Sequence, residues 1–172
     1  MLTRRTSLMA GVAGAAALAG VGAWWWQAGQ QPQPIDAAFW QLKLPRPDGG
    51  ELDMASLRGR PLIINFWATW CAPCIKELPD LDAFACAHRA QGWRVVGLAV
   101  DKPEPVAQFL RRTPLSIEIG IAGFDGTELA QQLGNPRAVL PFTLMVDAQG
   151  RVRQRKLGAT TLAELQSWAA AL

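Results

Sequence analysis

Two segments of this 172-residue chain are apolar without alternating, Pro-Leu-Ile-Ile-Asn-Phe-Trp-Ala at 61–68 and Trp-Arg-Val-Val-Gly-Leu-Ala-Val at 93–100. A strand buried on both faces needs apolar side chains at successive positions rather than at every second one. Each segment is therefore predicted to be a central strand of a sheet covered on both sides. Between them Ile75, Leu78, Leu81, Phe84 and Ala85 recur at three- and four-residue spacing, which predicts a helix over 74–91, kinked at Pro79. Strand, helix, strand in that order is a right-handed parallel unit.

The pattern changes on either side of this unit. Residues 39–44 alternate, and Pro47-Asp48-Gly49-Gly50 turns the chain toward Glu51-Leu52-Asp53-Met54, a β-hairpin ahead of the core. Segments 104–112 and 127–133 read as helices, the second stopped by Gly134-Asn135-Pro136. Strands at 142–146 and 151–157 flank the turn Asp147-Ala148-Gln149-Gly150. Thr160 or Thr161 caps a last helix, with Glu164 completing a capping box and Leu162, Leu165, Trp168 and Ala169 facing inward. Alternation places Arg151, Arg153 and Arg155 on one face of a strand. That is the dress of a charged edge strand that resists sheet-to-sheet association, or else a docking surface for an acidic partner. The fold class is α/β, a central mixed sheet flanked by helices.

The N-terminus is of a different kind. Arg4 and Arg5 precede an uncharged stretch, 6–26, rich in Ala and Gly, the build of a signal peptide or a single membrane anchor. As a helix, 8–26 would rise about 28 Å, close to the roughly 30 Å of a hydrocarbon core. Thr3-Arg4-Arg5-Thr6-Ser7-Leu8 resembles a twin-arginine export signal, and Val21-Gly22-Ala23 suits a peptidase; Trp24-Trp25-Trp26 suits the outer interface of an uncleaved anchor. No cysteine follows the run, which excludes a lipoprotein anchor. Residues 27–34, polar with two prolines, form a linker, and 35–172 is one domain. The chain has 17 Lys and Arg against 14 Asp and Glu; the N-terminal segment holds two of the basic residues and none of the acidic ones. The domain itself is nearly neutral, so no nucleic-acid partner is expected.

Candidate chemistry lies in the cysteines. Cys71 and Cys74 fall just after the first buried strand, on the first turn of the predicted helix, where the helix N-terminus stabilises a thiolate. Their spacing also suits half a zinc site, but Cys86 and His88 lie downstream on the same helix. Twelve helical residues rise roughly 18 Å, which takes Cys86 out of reach of a shared metal and of a disulfide with either partner. Metal ligands are not expected. Cys71, at the helix start, is the expected attacking thiolate, and Cys74, one turn deeper, resolves the mixed disulfide.

The segment from Asn65 to Pro79, Asn-Phe-Trp-Ala-Thr-Trp-Cys-Ala-Pro-Cys-Ile-Lys-Glu-Leu-Pro, resembles the active-site segment of the thioredoxin superfamily, and within it the exported TlpA/ResA/CcmG-like reductases. Ordinary thioredoxins have a buried aspartate where Asn65 stands; the TlpA-like group has asparagine there and a glutamate at the place of Glu77. Val139-Leu140-Pro141-Phe142-Thr143-Leu144-Met145-Val146-Asp147 resembles the superfamily's cis-proline strand, with Pro141 as the cis-proline and without the usual glycine ahead of it. The resemblance covers 35–172. It implies a thioredoxin-like fold in which 115–126 is an inserted strand and helix. Glu77 becomes a carboxylate that raises or relays the thiol proton, or else a first-turn acid favoured by the helix dipole. Trp70 and Pro73 shape the rim around Cys71, Trp67 packs beneath it, and Leu140 and Pro141 offer backbone to an extended substrate segment. No cofactor is implied. The implied activity is an exported protein-disulfide reductase, on the periplasmic side of the inner membrane if anchored or in the soluble periplasm if cleaved, re-reduced by a membrane thiol electron donor. Its substrates would be disulfide-bearing exported proteins, apocytochrome c or copper-site assembly factors in cytochrome c maturation or copper-site assembly. A disulfide-introducing oxidase and a non-catalytic copper(I) carrier remain the alternatives.

Overall fold

The computed structural model describes residues 32–172, so the expected signal or anchor at 1–26 and most of the linker lie outside the described residues. The first apolar run forms β3 (Leu62–Trp67), with every residue buried, and the second forms β4 (Arg94–Ala99). They pair in parallel from Leu62↔Arg94 to Trp67↔Ala99. Between them α1 (Ala72–His88) begins two residues earlier than its periodicity predicts and runs through Pro79, with a short 3-10 turn at Arg89–Gln91 completing the segment. Gly97 faces Trp67 and Ile119 so closely that a Cβ there would lie 2.9 Å from each. A residue without a side chain is what lets the indole lie across β4.

The sheet order is β5 (Glu118–Ile121), β4, β3, β6 (Phe142–Val146), β7 (Val152–Leu157). β6 runs antiparallel to β3, and β7 antiparallel to β6 at the edge. The inserted segment 115–126 supplies β5, parallel to β4 at the opposite edge, but not the expected helix of its own; it leads straight into α3 (Gly126–Gln132), the helix expected at 127–133. The remaining helices are α2 (Pro103–Arg112) and α4 (Leu162–Ala170), the latter started by the expected reciprocal capping box of Thr161 and Glu164.

Alternation along β3 divides the core into two layers. Leu62, Ile64 and Phe66 pack with Phe39, Trp40, Met54, Leu98, Phe142 and Leu144 on one face. Ile63 and Trp67 pack on the other with Cys71, Cys74, Leu78, Leu81, Phe84 and Leu165. Asn65 shares the parity of Ile63 and Trp67, so the strand aims this one polar side chain at the layer that holds α1 and the cysteines.

Three further expectations need correction. The alternating segment 39–44 is not a strand throughout: Phe39–Gln41 is a 3-10 turn, and the hairpin is shorter, β1 (Lys43–Pro45) with β2 (Glu51–Asp53). Phe39 and Trp40 are both buried, and adjacent residues of a strand cannot bury on one side. The three arginines do not share a face either. The register shifts between Met145 and Val146, so Arg155 pairs with Leu144, on the same face as Val152. Its Nε donates to Leu133 O at 2.9 Å, whereas Arg151 and Arg153 reach Asp147. Finally, Gln33 and Pro34, assigned to the linker, already pair with the edge of the sheet near Arg151 and Val152. No helix among the described residues is long and apolar enough to cross a membrane.

Candidate active site

β3 ends at Trp67, and the chain turns through Ala68, whose carbonyl accepts from Cys71 N at 3.2 Å. Cys71 is the N-cap of α1, its sulfur accepting from Cys74 N at 3.3 Å in the manner of a capping oxygen. Pro73 sits in the first turn, where a missing N–H costs the helix nothing. Cys71 and Cys74 are paired as a disulfide with Cα atoms 5.3 Å apart. Cys71 is 5% exposed and Cys74 0%, so the first is the sulfur a partner can approach. Trp70 beside it is 65% exposed, an apolar flag on the rim, while Trp67 is buried against Phe109.

A carboxylate just beyond the next strand fixes this turn. Asp101, just past β4 and nearly buried, accepts from Thr69 N at 3.0 Å and Thr69 Oγ1 at 2.5 Å with one oxygen, and from Lys102 N at 2.8 Å with the other. The approach to Cys71 is thereby tied to the C-terminal edge of the sheet.

Beneath the cysteines lies a ring of buried polar groups. Glu77, one helical turn beyond Cys74 and 2% exposed, accepts from Asn65 Nδ2 at 2.7 Å and from Thr160 N at 2.6 Å. The same Asn65 nitrogen donates to Thr143 Oγ1 at 2.9 Å, and Thr160 Oγ1 donates to Thr143 Oγ1 at 3.2 Å, which closes the ring. Burial disfavours the charged carboxylate and raises its pKa from 4.5 to about 7; the Thr160 and Asn65 donors and the charge of Lys156 offset part of that, and Asp80 adds to it. A group that titrates near neutrality is matched to taking or returning a thiol proton. Asn65 Oδ1 and Trp67 Nε1, both buried, have no hydrogen-bond partner among the described residues.

The second motif comes to the same place. The Leu140–Pro141 peptide is cis, Pro141 O accepts from Gly158 N at 2.8 Å, and Leu140 packs against the core layer that contains both cysteines. In place of the missing glycine, Ala138 takes the left-handed conformation with φ 49°. Cys86 and His88 stand apart from the site: Cys86 is exposed against Ser116, and His88 stacks on Phe84. A cavity of about 430 Å³ lined by Arg46, Leu110, Arg111 and Ile117 does not include the cysteines.

The sequence reading named Cys71, Cys74, Glu77, Trp70, Pro73, Leu140 and Pro141. It noticed that Asn65 replaces an aspartate, without placing it as Glu77's partner, and it missed Thr143, Thr160 and Asp101. Parity along β3 was the available signal for Asn65; for Thr160, whose backbone N–H acts, no side-chain pattern could have served.

Comparison with known proteins agrees with this geometry. The Redoxin family model matches residues 28–172. The thiol-disulfide oxidoreductase ResA of Geobacillus kaustophilus is 30% identical over 119 residues, 69% of this chain and 66% of that protein. ResA of Bacillus cereus is 26% identical over 122 residues, 70% of this chain and 68% of the relative. Among solved structures, a thiol:disulfide interchange protein of Chlorobium tepidum superposes with a TM-score of 0.71 at 24% identity, covering 82% of this chain and 96% of that one, which shows the fold. A secreted Mycobacterium tuberculosis disulfide oxidoreductase, homologous to Escherichia coli DsbE, has a TM-score of 0.65 at 26% identity and covers 80% of this chain and 100% of its own. Because the match runs through the whole described domain rather than the cysteine segment alone, the chain belongs to the Redoxin family, and it is a thiol-disulfide oxidoreductase of the TlpA/ResA-like group in the thioredoxin superfamily.

Proposed function

We propose that the chain works as an exported reductase of selected protein disulfides, tethered to the periplasmic side of the inner membrane by residues 1–26. The Cys71 thiolate attacks one sulfur of the substrate disulfide; that bond breaks, and the departing substrate sulfur takes up a proton. The product is a mixed disulfide through Cys71. Cys74 then loses its proton and attacks the Cys71 sulfur, and the second substrate thiol leaves. Two electrons have passed to the substrate, whose two sulfurs draw their protons from solvent, and Cys71 and Cys74 are left as a disulfide, which a membrane dithiol donor reduces again. Glu77 takes the Cys74 proton during resolution and returns it on reset.

The observation that carries this reading is the buried Glu77, one turn from the buried Cys74 and titrating near 7. The cysteine that must lose a proton away from bulk water has, one helical turn on, a carboxylate whose pKa suits taking it. Apocytochrome c and copper-site assembly factors are the substrate class, and export is supported by the build of residues 1–26 and by the secreted M. tuberculosis relative. The uncharged Ala72-Pro73 pair between the cysteines favours a reducing couple, nearer to about −270 mV than to the roughly −120 mV of strong oxidants.

Variants of the full-length chain test this. Cys71→Ser abolishes reduction of insulin disulfides by dithiothreitol, and Cys74→Ser accumulates mixed disulfides with natural partners. Unsubstituted protein from the cell envelope carries its cysteines mostly reduced, and the trapped species are a few exported proteins with paired cysteines. Fully oxidised protein, with a trap that captures newly exported proteins at large, would replace the reductase with the oxidase.

A further inference from the structure

The loop that ends at Pro141 is held by one buried side chain. Asn135 is 0% exposed; its Oδ1 accepts from Val139 N at 3.1 Å and its Nδ2 donates to Val139 O at 2.8 Å. These are the two bonds that a residue of a neighbouring antiparallel strand would make with Val139. The backbone of Asn135 adds to the grip, its carbonyl accepting from Ala138 N at 2.9 Å and its N–H donating to Ala130 O at 3.0 Å. Between the two ends of this clamp Ala138 occupies the left-handed region, which a residue with a Cβ rarely adopts unassisted.

In an extended chain successive residues turn their N–H and C=O to opposite sides, and a residue before proline is held extended by the ring. With Val139 bonded from the inside, the next residue's polar groups face out. The N–H and C=O of Leu140 indeed make no hydrogen bond among the described residues, while its side chain packs on the layer containing Cys71 and Cys74.

We infer that Asn135 is the positioning residue for substrate capture: its amide stands in for an inner strand and aims the Leu140 backbone at one residue of an extended substrate segment beside the target cystine. The inference rests on the reading of Leu140 and Pro141 as the substrate-pairing edge. Since a single residue offers both a donor and an acceptor, the fitting partner is a cystine in an unfolded or looped stretch whose backbone is free to pair, not one inside a helix.

The test compares two disulfides on the full-length chain: an extended peptide with one internal disulfide, which needs backbone pairing, and 5,5′-dithiobis(2-nitrobenzoate), which has no backbone. Asn135→Ala lowers kcat/KM for the peptide on the order of tenfold, chiefly through KM, and leaves the rate with the small disulfide within about twofold. Asn135→Asp, which keeps the acceptor for Val139 N and loses the donor, falls between the two and covers the case in which the alanine variant does not fold. A parallel loss on both disulfides, or peptide turnover unchanged in the aspartate variant, overturns the inference. The unsubstituted chain's own turnover of the small disulfide reports separately on the function assigned to Cys71 and Cys74.

Discussion

Glu77 makes the stability of this protein depend on pH in a direction opposite to that of most carboxylates. In the unfolded chain it titrates near 4.5, and in the folded protein near 7. Below pH 4.5 both states hold the proton, and the protonated side chain's contribution is fully present. Between 4.5 and 7 the folded state keeps a proton that the unfolded state has released, so stability falls as pH rises. Above 7 the carboxylate is charged in both states, and the folded one bears the whole cost of holding that charge away from water. At about 1.4 kcal/mol for each tenfold change in proton affinity, the rise from 4.5 to about 7 is worth roughly 3 kcal/mol. For a domain of this size that is roughly 6–12 °C in Tm. The perturbation is Glu77→Gln, which cannot ionise. Unfolding of both proteins in their oxidised form, followed at matched pH values from 4 to 8, cancels the groups they share. The stability of the unsubstituted protein minus that of the variant is expected to fall by about 3 kcal/mol across this range, most steeply between 5 and 7. A flat difference would mean that Glu77 is not shifted, and a rising one that its donors outweigh its burial; either refutes the reasoning.

Asn65→Asp puts a second carboxylate against Glu77 Oε1, where a donor now stands at 2.7 Å; the pair then shares one proton, and the variant should lose about 1–3 kcal/mol more at pH 8 than at pH 5 in urea unfolding. Equal losses at the two pH values would remove Asn65 from the titration of Glu77. Gly97→Ala drives a methyl to within 2.9 Å of Trp67 and Ile119 and should cost about 1–3 kcal/mol, read from the urea midpoint. An unchanged midpoint would show that the indole has room to move.

What the sequence determined by itself was whatever depends on neighbours along the chain. Unbroken apolar runs marked β3 and β4, three- and four-residue spacing marked α1, Thr161 and Glu164 marked the start of α4, and the position of Cys71 and Cys74 after a strand put them at a helix N-terminus. Such signals are local because strand alternation, helical periodicity and capping are each settled within a few residues. What only the tertiary structure decided were the partners of buried polar groups. Glu77 meets Asn65 twelve residues away and Thr160 N eighty-three away, and Asn65 meets Thr143 at a separation of seventy-eight. The same holds for the bulge that turns Arg155 away from Arg151 and Arg153, and for the burial of both Phe39 and Trp40. A buried donor or acceptor must find a mate wherever the fold brings one, and the cost of leaving it unpaired is set by the surrounding packing rather than by sequence distance. A periodicity can therefore announce that Glu77 lies on α1 near the cysteines, but its pKa is set chiefly by burial and by Thr160, Asn65 and Lys156, none of which lies in the stretch of sequence around it.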